Sequence, residues 1–377
     1  MNDPRVRALA EVVTGHSVGL KPGDLVLIQG AELAEPLIVE LVRSALDRGA
    51  IPRVRLSLDG IDRTYLEAAG DRQLSHLPPY VLEEMEAINV RISVNADWNT
   101  RALSGIDPVK IARRSAAAAP AMARFMERSA GGELRWCVTA FPCDAYAQDS
   151  NMALGDYERF LYRAAWLDRP DPVAAWTTYA GRLAELSERL SQVRTLRLRA
   201  DGTDLRLGVA GRVWQPSSGH HNFPDGEVFT GPQETATQGE VRFTYPAVFN
   251  GNEVSDVRLR FEAGRVVGCE AAGGRDLLER MIAIDDGAAV LGEFAIGTNY
   301  AIDRFTKQIL FDEKIGGTCH MALGAGYPET GSTNVSGLHW DMVCDLCGGG
   351  EIHADGEPIY RDGEFLPSFF APSLRPE

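Results

Sequence analysis

Short apolar runs alternate with amphipathic helical stretches from residue 1 to residue 150, and this alternation restricts the N-terminal part of the chain to an open α/β sheet. Asp24-Leu-Val-Leu-Ile-Gln-Gly30 has the apolar and β-branched content of a strand. A helical pattern follows from Glu35 to Arg48, with Pro36 suited to the first turn, and Ile51-Pro-Arg-Val-Arg-Leu56 reads as the next strand. Ala87 to Val94, a helix over Pro108 to Glu127, and Leu134 to Ala140 continue the series. Strands joined through helices pair in parallel, so the expected class here is α/β with an open, largely parallel sheet. Gln29-Gly30-Ala31-Glu32, after the first strand, fits neither the dinucleotide fingerprint nor the phosphate-loop pattern, and no nucleotide is expected.

The pattern then changes twice. Residues 151 to 194 read as a helical bridge, with Leu183, Leu186 and Leu190 at i, i+3 and i+7. From Thr195 the period falls to two: Leu196 to Ala200, a turn at Asp201-Gly202, and Leu205 to Val209. Glu240 to Val248 and Val257 to Val267 read as further strand-like runs, the second carrying an Ala263-Gly264 turn. The expected organisation is therefore an N-terminal α/β domain over 1–150, the bridge over 151–194, and a β-rich α+β domain with one or two helices over 195–377.

With 45% hydrophobic residues the chain can bury a full core. Its net charge of −15, from 53 acidic against 38 basic residues, argues against nucleic acid and anionic membrane as partners, since both require clustered Lys and Arg. No apolar run approaches the roughly 20 residues needed to span a bilayer. The N-terminus carries no secretion pattern, so the expected location is cytoplasmic, with the six cysteines as thiols.

The unusual polar residues concentrate in the second half. Glu227 lies between a Pro-Asp-Gly turn and an apolar pair, where a carboxylate can point inward from a strand start. Glu293 sits inside Val290-Leu-Gly-Glu-Phe-Ala-Ile-Gly297, an apolar run in which a carboxylate is costly unless it is paired, protonated or bound to a cation. Glu313, His320 and Tyr327 are joined by a glycine-rich stretch, and the alternation in His339-Trp340-Asp341 turns His339 and Asp341 to one side of a strand. Four carboxylates and two histidines suit two divalent ions better than one, because a single open zinc site usually takes three protein ligands. Two ions can share a carboxylate, lower the pKa of a water and polarise a carbonyl, with Tyr327 placed to donate to the resulting oxyanion.

These segments resemble the aminopeptidase T family of metallopeptidases. The resemblance rests on N-x-P-x-x-E-V-F-T around Glu227, G-E at Glu293, the stretch from Asp312 to Tyr327 with H-x-A-L-G-x-x-Y, and H-x-D at His339 and Asp341. It implies an N-terminal α/β domain, a C-terminal β-rich domain holding the metals, and a homodimer whose interior cavity restricts access to the active sites. It implies further that Glu227, Glu293, Glu313, His320, His339 and Asp341 bind two divalent ions, zinc or cobalt first and manganese or magnesium as alternatives. Tyr327 would be the catalytic tyrosine, and the substrate a short peptide with a free amino terminus. Two features depart from the family pattern: the longer Glu313-to-His320 spacing through Ile315-Gly316-Gly317, and Cys344-Asp-Leu-Cys347, which reads as two small core-facing residues.

Two rival readings compete. A distantly related group of ring-cleaving dioxygenases acting on dihydroxypyridines would use one non-haem iron, with His320, His339 and Asp341 as its facial triad, and would leave the three glutamates without a task. A non-catalytic binding protein would use the carboxylates to hold a structural ion. His220, His221 and His353 have simpler explanations and stay outside the ligand set.

Overall fold

The computed structural model describes residues 3–249 and 251–375. The chain forms two compact units, Met1–Val173 with Gly219–Phe223, and Ala174–Ser218 with Pro224–Glu377.

The first unit is built on a five-stranded sheet in the order Ile51–Ser57, Leu25–Ala31, Val90–Asn95, Arg135–Ala140, Asn222–Phe223, parallel throughout. The sequence places these strands within a few residues, apart from the short Asn222–Phe223. Helices lie on both faces, as parallel pairing demands. On one face Leu27 joins Met85, Ile88, Phe125 and Leu134 in a core cluster with the helices Pro79–Ala87 and Pro108–Ala130. On the other, Gly30 lets Ile38 of the helix Glu35–Asp47 approach the sheet, and Pro36 occupies the first turn of that helix as expected. The strand Ile51–Ser57 is an outer edge, and Ile51, Val54 and Leu56 are exposed along it.

The second unit is antiparallel. Its larger sheet runs Arg265–Glu270, Arg258–Glu262, Gln238–Arg242, Thr203–Gly208, Thr195–Ala200, Glu351–Ala354, Glu357–Arg361, Glu364–Phe365. The hairpin turns at Ala263-Gly264 and Asp355-Gly356 both have two successive positive φ angles, the conformation a tight two-residue turn requires. The expected run from Glu240 to Val248 is divided. Gln238–Arg242 stays in the large sheet, whereas Ala247–Phe249 pairs separately with Asn252–Val254. Pro246, which has no N–H to donate to a ladder, stands between the two parts. The helix Pro172–Leu190 buries Leu183, Leu186 and Leu190, and two short helices, Arg275–Ile282 and Ile309–Asp312, complete this unit.

A second antiparallel sheet carries the polar residues of interest. Its order is His339–Asp345, Thr318–Gly324, Leu291–Gly297, Glu227–Thr230, Gln215–Ser217. Every residue of both Thr318–Gly324 and Leu291–Gly297 is buried, so any charged group on these strands must find compensation inside the protein.

Candidate metal centre

Cross-strand register gathers the candidate residues. Glu293 lies opposite Ala322, which lies opposite Asp341; Ala295 faces His320, Gly324 faces His339 and Gly297 faces Glu227. Partners in register share a face, and so do residues two apart, so Glu227, Glu293, His320, His339 and Asp341 all project from one side of the sheet. The positions between them on that side are small: Ala295, Gly297, Ala322 and Gly324. Small residues leave room for five polar side chains to meet. Phe294, Met321 and Met342 form a row on the opposite face. Cys319 and Cys344 face each other there and are buried free thiols. Cys347 differs from the expectation of a core-facing residue: the strand ends at Asp345, the chain turns, and the residue is exposed, with its thiol lying 3.6 Å from the Gly317 carbonyl oxygen.

Glu313 arrives from outside the sheet, just after the short helix Ile309–Asp312. The longer loop through Ile315-Gly316-Gly317 does not carry it away. Asn299 pairs with Ile315, its N–H donates to the Lys314 carbonyl at 3.0 Å, and Gly316 N–H donates back to the Asn299 carbonyl at 3.0 Å. Gly297 permits this approach, since a Cβ there would lie 2.2 Å from the Ile315 carbonyl oxygen.

The imidazoles are oriented by backbone. His320 Nδ1 lies 3.1 Å from the Glu313 carbonyl oxygen and His339 Nδ1 2.9 Å from that of Ala325. A carbonyl only accepts, so each Nδ1 carries the proton and each Nε2 is the atom turned toward the carboxylates, the orientation typical of a metal-ligating histidine. His320 Nε2 is 3.3 Å from Glu293 Oε1 and 3.4 Å from Glu227 Oε2; His339 Nε2 is 3.5 Å from both Glu293 Oε2 and Asp341 Oδ1. Glu293 thus stands between the two histidines. Three groups have ligand atoms within 4.8 Å of one another: Glu227, Glu293 and His320; Glu293, His339 and Asp341; and Glu313, His320 and Asp341. All six candidates from the sequence fall in these groups, with the two histidines in separate ones. Glu227 Oε2 and Asp341 Oδ1 are buried without a hydrogen-bond partner among the described residues. Orphaned carboxylate oxygens beside imidazole Nε2 atoms fit a divalent cation.

Tyr327 follows the end of the Thr318–Gly324 strand and caps a short 3₁₀ turn, Pro328–Thr330. Its ring packs edge-on against His339, with centroids 5.3 Å apart, and against Phe229 at 5.4 Å. The residue is 36% exposed overall, yet partial burial together with Glu293, Asp341 and Glu313 pushes its hydroxyl above the usual tyrosine range in the metal-free centre, so it remains a proton donor. The histidines left out of the ligand set lie elsewhere. His220 stacks on His16 and His221 on Trp136 in the first unit, and His353 pairs with Glu351 beside its hairpin turn.

One member of the centre escapes a sequence reading. Lys314 is fully buried; its Nζ lies 2.6 Å from Glu227 Oε1 and 3.7 Å from Asp225 Oδ1, and it is ion-paired to Glu313. Burial opposes its charge, but Glu227, Glu313 and Asp225 outweigh that and raise its pKa well above the usual lysine value. Burial in turn pushes Glu227 up to about 8, with Lys314 pulling the other way. Removing one partner from a buried charge cluster leaves the others uncompensated. Lys314→Met is therefore expected to cost the metal-free protein about 3–5 kcal/mol of unfolding free energy in a urea titration. Divalent metal should restore part of this loss by taking over the neutralisation. A change below about 1 kcal/mol, the worth of a surface pair, would refute the argument.

A parallel α/β unit is thus joined in one chain to an antiparallel unit whose histidines and carboxylates could hold a metal ion. Residues 2–365 match the family described as thermophilic metalloprotease (M29), and the chain belongs to that family. Aminopeptidase 2 of Geobacillus stearothermophilus is 28% identical over 404 aligned residues, covering 94% of this chain and 96% of the relative. The structure of wild-type AmpT from Thermus thermophilus superposes with a TM-score of 0.84 at 26% identity, covering 96% of this chain and 99% of that one. A 2,5-dihydroxypyridine dioxygenase from Pseudomonas putida shares the fold, with a TM-score of 0.64 at 14% identity and 99% coverage of both chains.

Proposed function

We propose that this chain is an aminopeptidase that removes the amino-terminal residue of short peptides, using two divalent metal ions held by Glu227, Glu293, Glu313, His320, His339 and Asp341. The observation that carries this reading is the placement of Glu293 between the two histidine Nε2 atoms, within two of the three ligand groups. A carboxylate so placed suits two cations that share it. Aminopeptidase 2 of Geobacillus stearothermophilus and aminopeptidase T of Thermus thermophilus, aminopeptidases by name, support the reaction type. Bound there, zinc or cobalt, or manganese or magnesium in their place, would supply Lewis acidity that polarises the scissile carbonyl and eases deprotonation of the attacking water. The protein's own share is to fix the tautomers of His320 and His339 through backbone carbonyls, to hold Glu227 and Glu313 through Lys314, and to offer the Tyr327 hydroxyl to the developing oxyanion.

The separation of His320 and His339 into different ligand groups weighs against a mononuclear iron triad of those residues with Asp341. Metal quantification with cleavage assays on free-amine and N-acetylated peptides tests the whole proposal. Close to two ions per chain and a strict need for the free amine are expected. One iron per chain with oxygen uptake on a dihydroxypyridine would sink it.

Metal uptake should also report on the histidines. Burial disfavours both imidazolium ions, but Glu227 and Glu293 raise His320 to about 9, and Asp341 and Glu293 raise His339 to about 10. Near neutrality the metal-free centre therefore holds protons that an incoming ion must displace, since ligation needs the free Nε2 lone pair. Apparent affinity should rise with pH toward the range of these values. Calorimetry in buffers of different ionisation enthalpy should show net proton release, and none released would contradict the assignment.

The proposed protein works in the cytoplasm as a homodimer, without nucleic acid. No helix among the described residues is long and apolar enough to cross a membrane. The exposed Ile51–Ser57 edge, with Ile51, Val54 and Leu56, is the kind of unpaired strand that a second copy covers. A monomeric mass by analytical ultracentrifugation would remove the dimer from the proposal.

A further inference from the structure

We infer that the cavity along the outer flank of the His339–Asp345 strand receives the side chain of the substrate's amino-terminal residue and selects aliphatic and aromatic ones. This rests on the aminopeptidase reading and goes beyond it by naming the substrate class. His339–Asp345 is the outer strand of its sheet, so a group can lie along its edge and touch side chains from both faces. The cavity there is about 140 Å³ and includes His339 and Asp341 in its wall, so it begins at the candidate centre itself. A terminal residue's side chain branches from the carbon next to the scissile carbonyl. With that carbonyl at the centre, the side chain has a short distance to travel.

The lining decides what fits. Val248 and Phe249 come from the separately paired strand Ala247–Phe249, Phe305 and Ile309 from the segment leading to Glu313, and Trp340 and Val343 from the edge strand. Phe249 and Trp340 pack with ring centroids 5.4 Å apart, and Phe305 stacks on Tyr245 at 4.9 Å, so the aromatic walls are fixed by neighbours. The volume suits one side chain and no longer run of peptide, since a cavity of about 150 Å³ accommodates a molecule the size of benzene; its wall is about half polar, and the apolar half comes from the residues just named. Two further lining residues are polar, and each is engaged. Lys307 Nζ lies 2.7 Å from Glu253, while the Asp312 carboxylate accepts from Thr306 N–H at 2.7 Å and from its hydroxyl at 2.8 Å. A charged substrate side chain would have to displace one of these partners or go unpaired, and burying it unpaired is costly.

The test uses full-length, metal-loaded protein and amino-acid p-nitroanilides of Ala, Val, Leu, Phe, Glu and Lys. Each methylene seated in an apolar pocket is worth roughly 10- to 200-fold in selectivity, so Leu and Phe should exceed Ala in kcat/KM by at least tenfold, with Glu and Lys below Ala. Val248→Trp fills the cavity and should reduce the Leu-to-Ala ratio by about tenfold or more with metal content retained. Ile309→Trp, at a position 47% exposed, should do the same and guards against misfolding of the first variant. A ratio unchanged in both variants, or selectivity that follows the residue after the scissile bond in a dipeptide series, would overturn the inference and leave the aminopeptidase reading intact. No cleavage of any free-amine substrate would overturn both.

Discussion

Tyr327→Phe is expected to lower kcat by about 10²- to 10³-fold while leaving bound metal and KM close to wild type, the cost of removing one donor to a developing oxyanion. Phenylalanine keeps the edge-on contacts with His339 and Phe229, so the substitution removes the hydroxyl and little else. In the metal-free centre the hydroxyl is pushed well above its ordinary pKa by burial and by Glu293, Asp341 and Glu313, so the side chain is a phenol with a proton to donate. Steady-state kinetics with parallel metal analysis measures both quantities. An unchanged kcat would take Tyr327 out of the chemistry, whereas loss of metal together with activity would make it a support for His339.

Glu293→Gln is expected to have the largest effect on metal. The carboxylate lies on a wholly buried strand with one oxygen near His320 Nε2 and the other near His339 Nε2. An amide of the same shape preserves packing but gives up the negative charge and turns an N–H₂ donor toward one imidazole. Changing a residue that merely supports a ligand already costs about 10–100-fold in metal affinity, and a shared ligand should exceed that. Elemental analysis after dialysis should find most of the metal gone, with cleavage lost in parallel. Full occupancy in this variant would contradict the bridging role.

Local pattern revealed a good part of this molecule. Strands over Leu25–Ala31 and Val90–Asn95 were legible because a short apolar run bounded by turn residues has few other ways to be buried. The polar members of the centre were legible for the complementary reason: Glu293 and His320 interrupt stretches that are otherwise apolar or glycine-rich, and burying them needs compensation. Lys314 and Asp225 gave no such signal. A lysine after Asp-Glu and an aspartate in a Pro-Asp-Gly turn both read as solvated. Their burial follows from the pairing of Asn299 with Ile315 and from the Asn299 side-chain amide donating to the Asp225 carbonyl at 2.8 Å. The substrate cavity was equally hidden, because its walls come from three separated segments and depend on the break at Pro246 that frees Ala247–Phe249 from the larger sheet.

By itself, then, the sequence determined which residues lie on which side of each strand, since a period of two allows only two choices, and it marked Glu293 as costly to bury and five further acids and histidines as candidate partners. Tertiary structure decided which strands became neighbours and in what register. That choice set Ala322 between Glu293 and Asp341, Gly297 beside Glu227, and the Glu313-Lys314 segment across the sheet, turning dispersed polar residues into one centre. Register between strands far apart in the chain is fixed by packing over the whole unit, and no local stretch of sequence carries it.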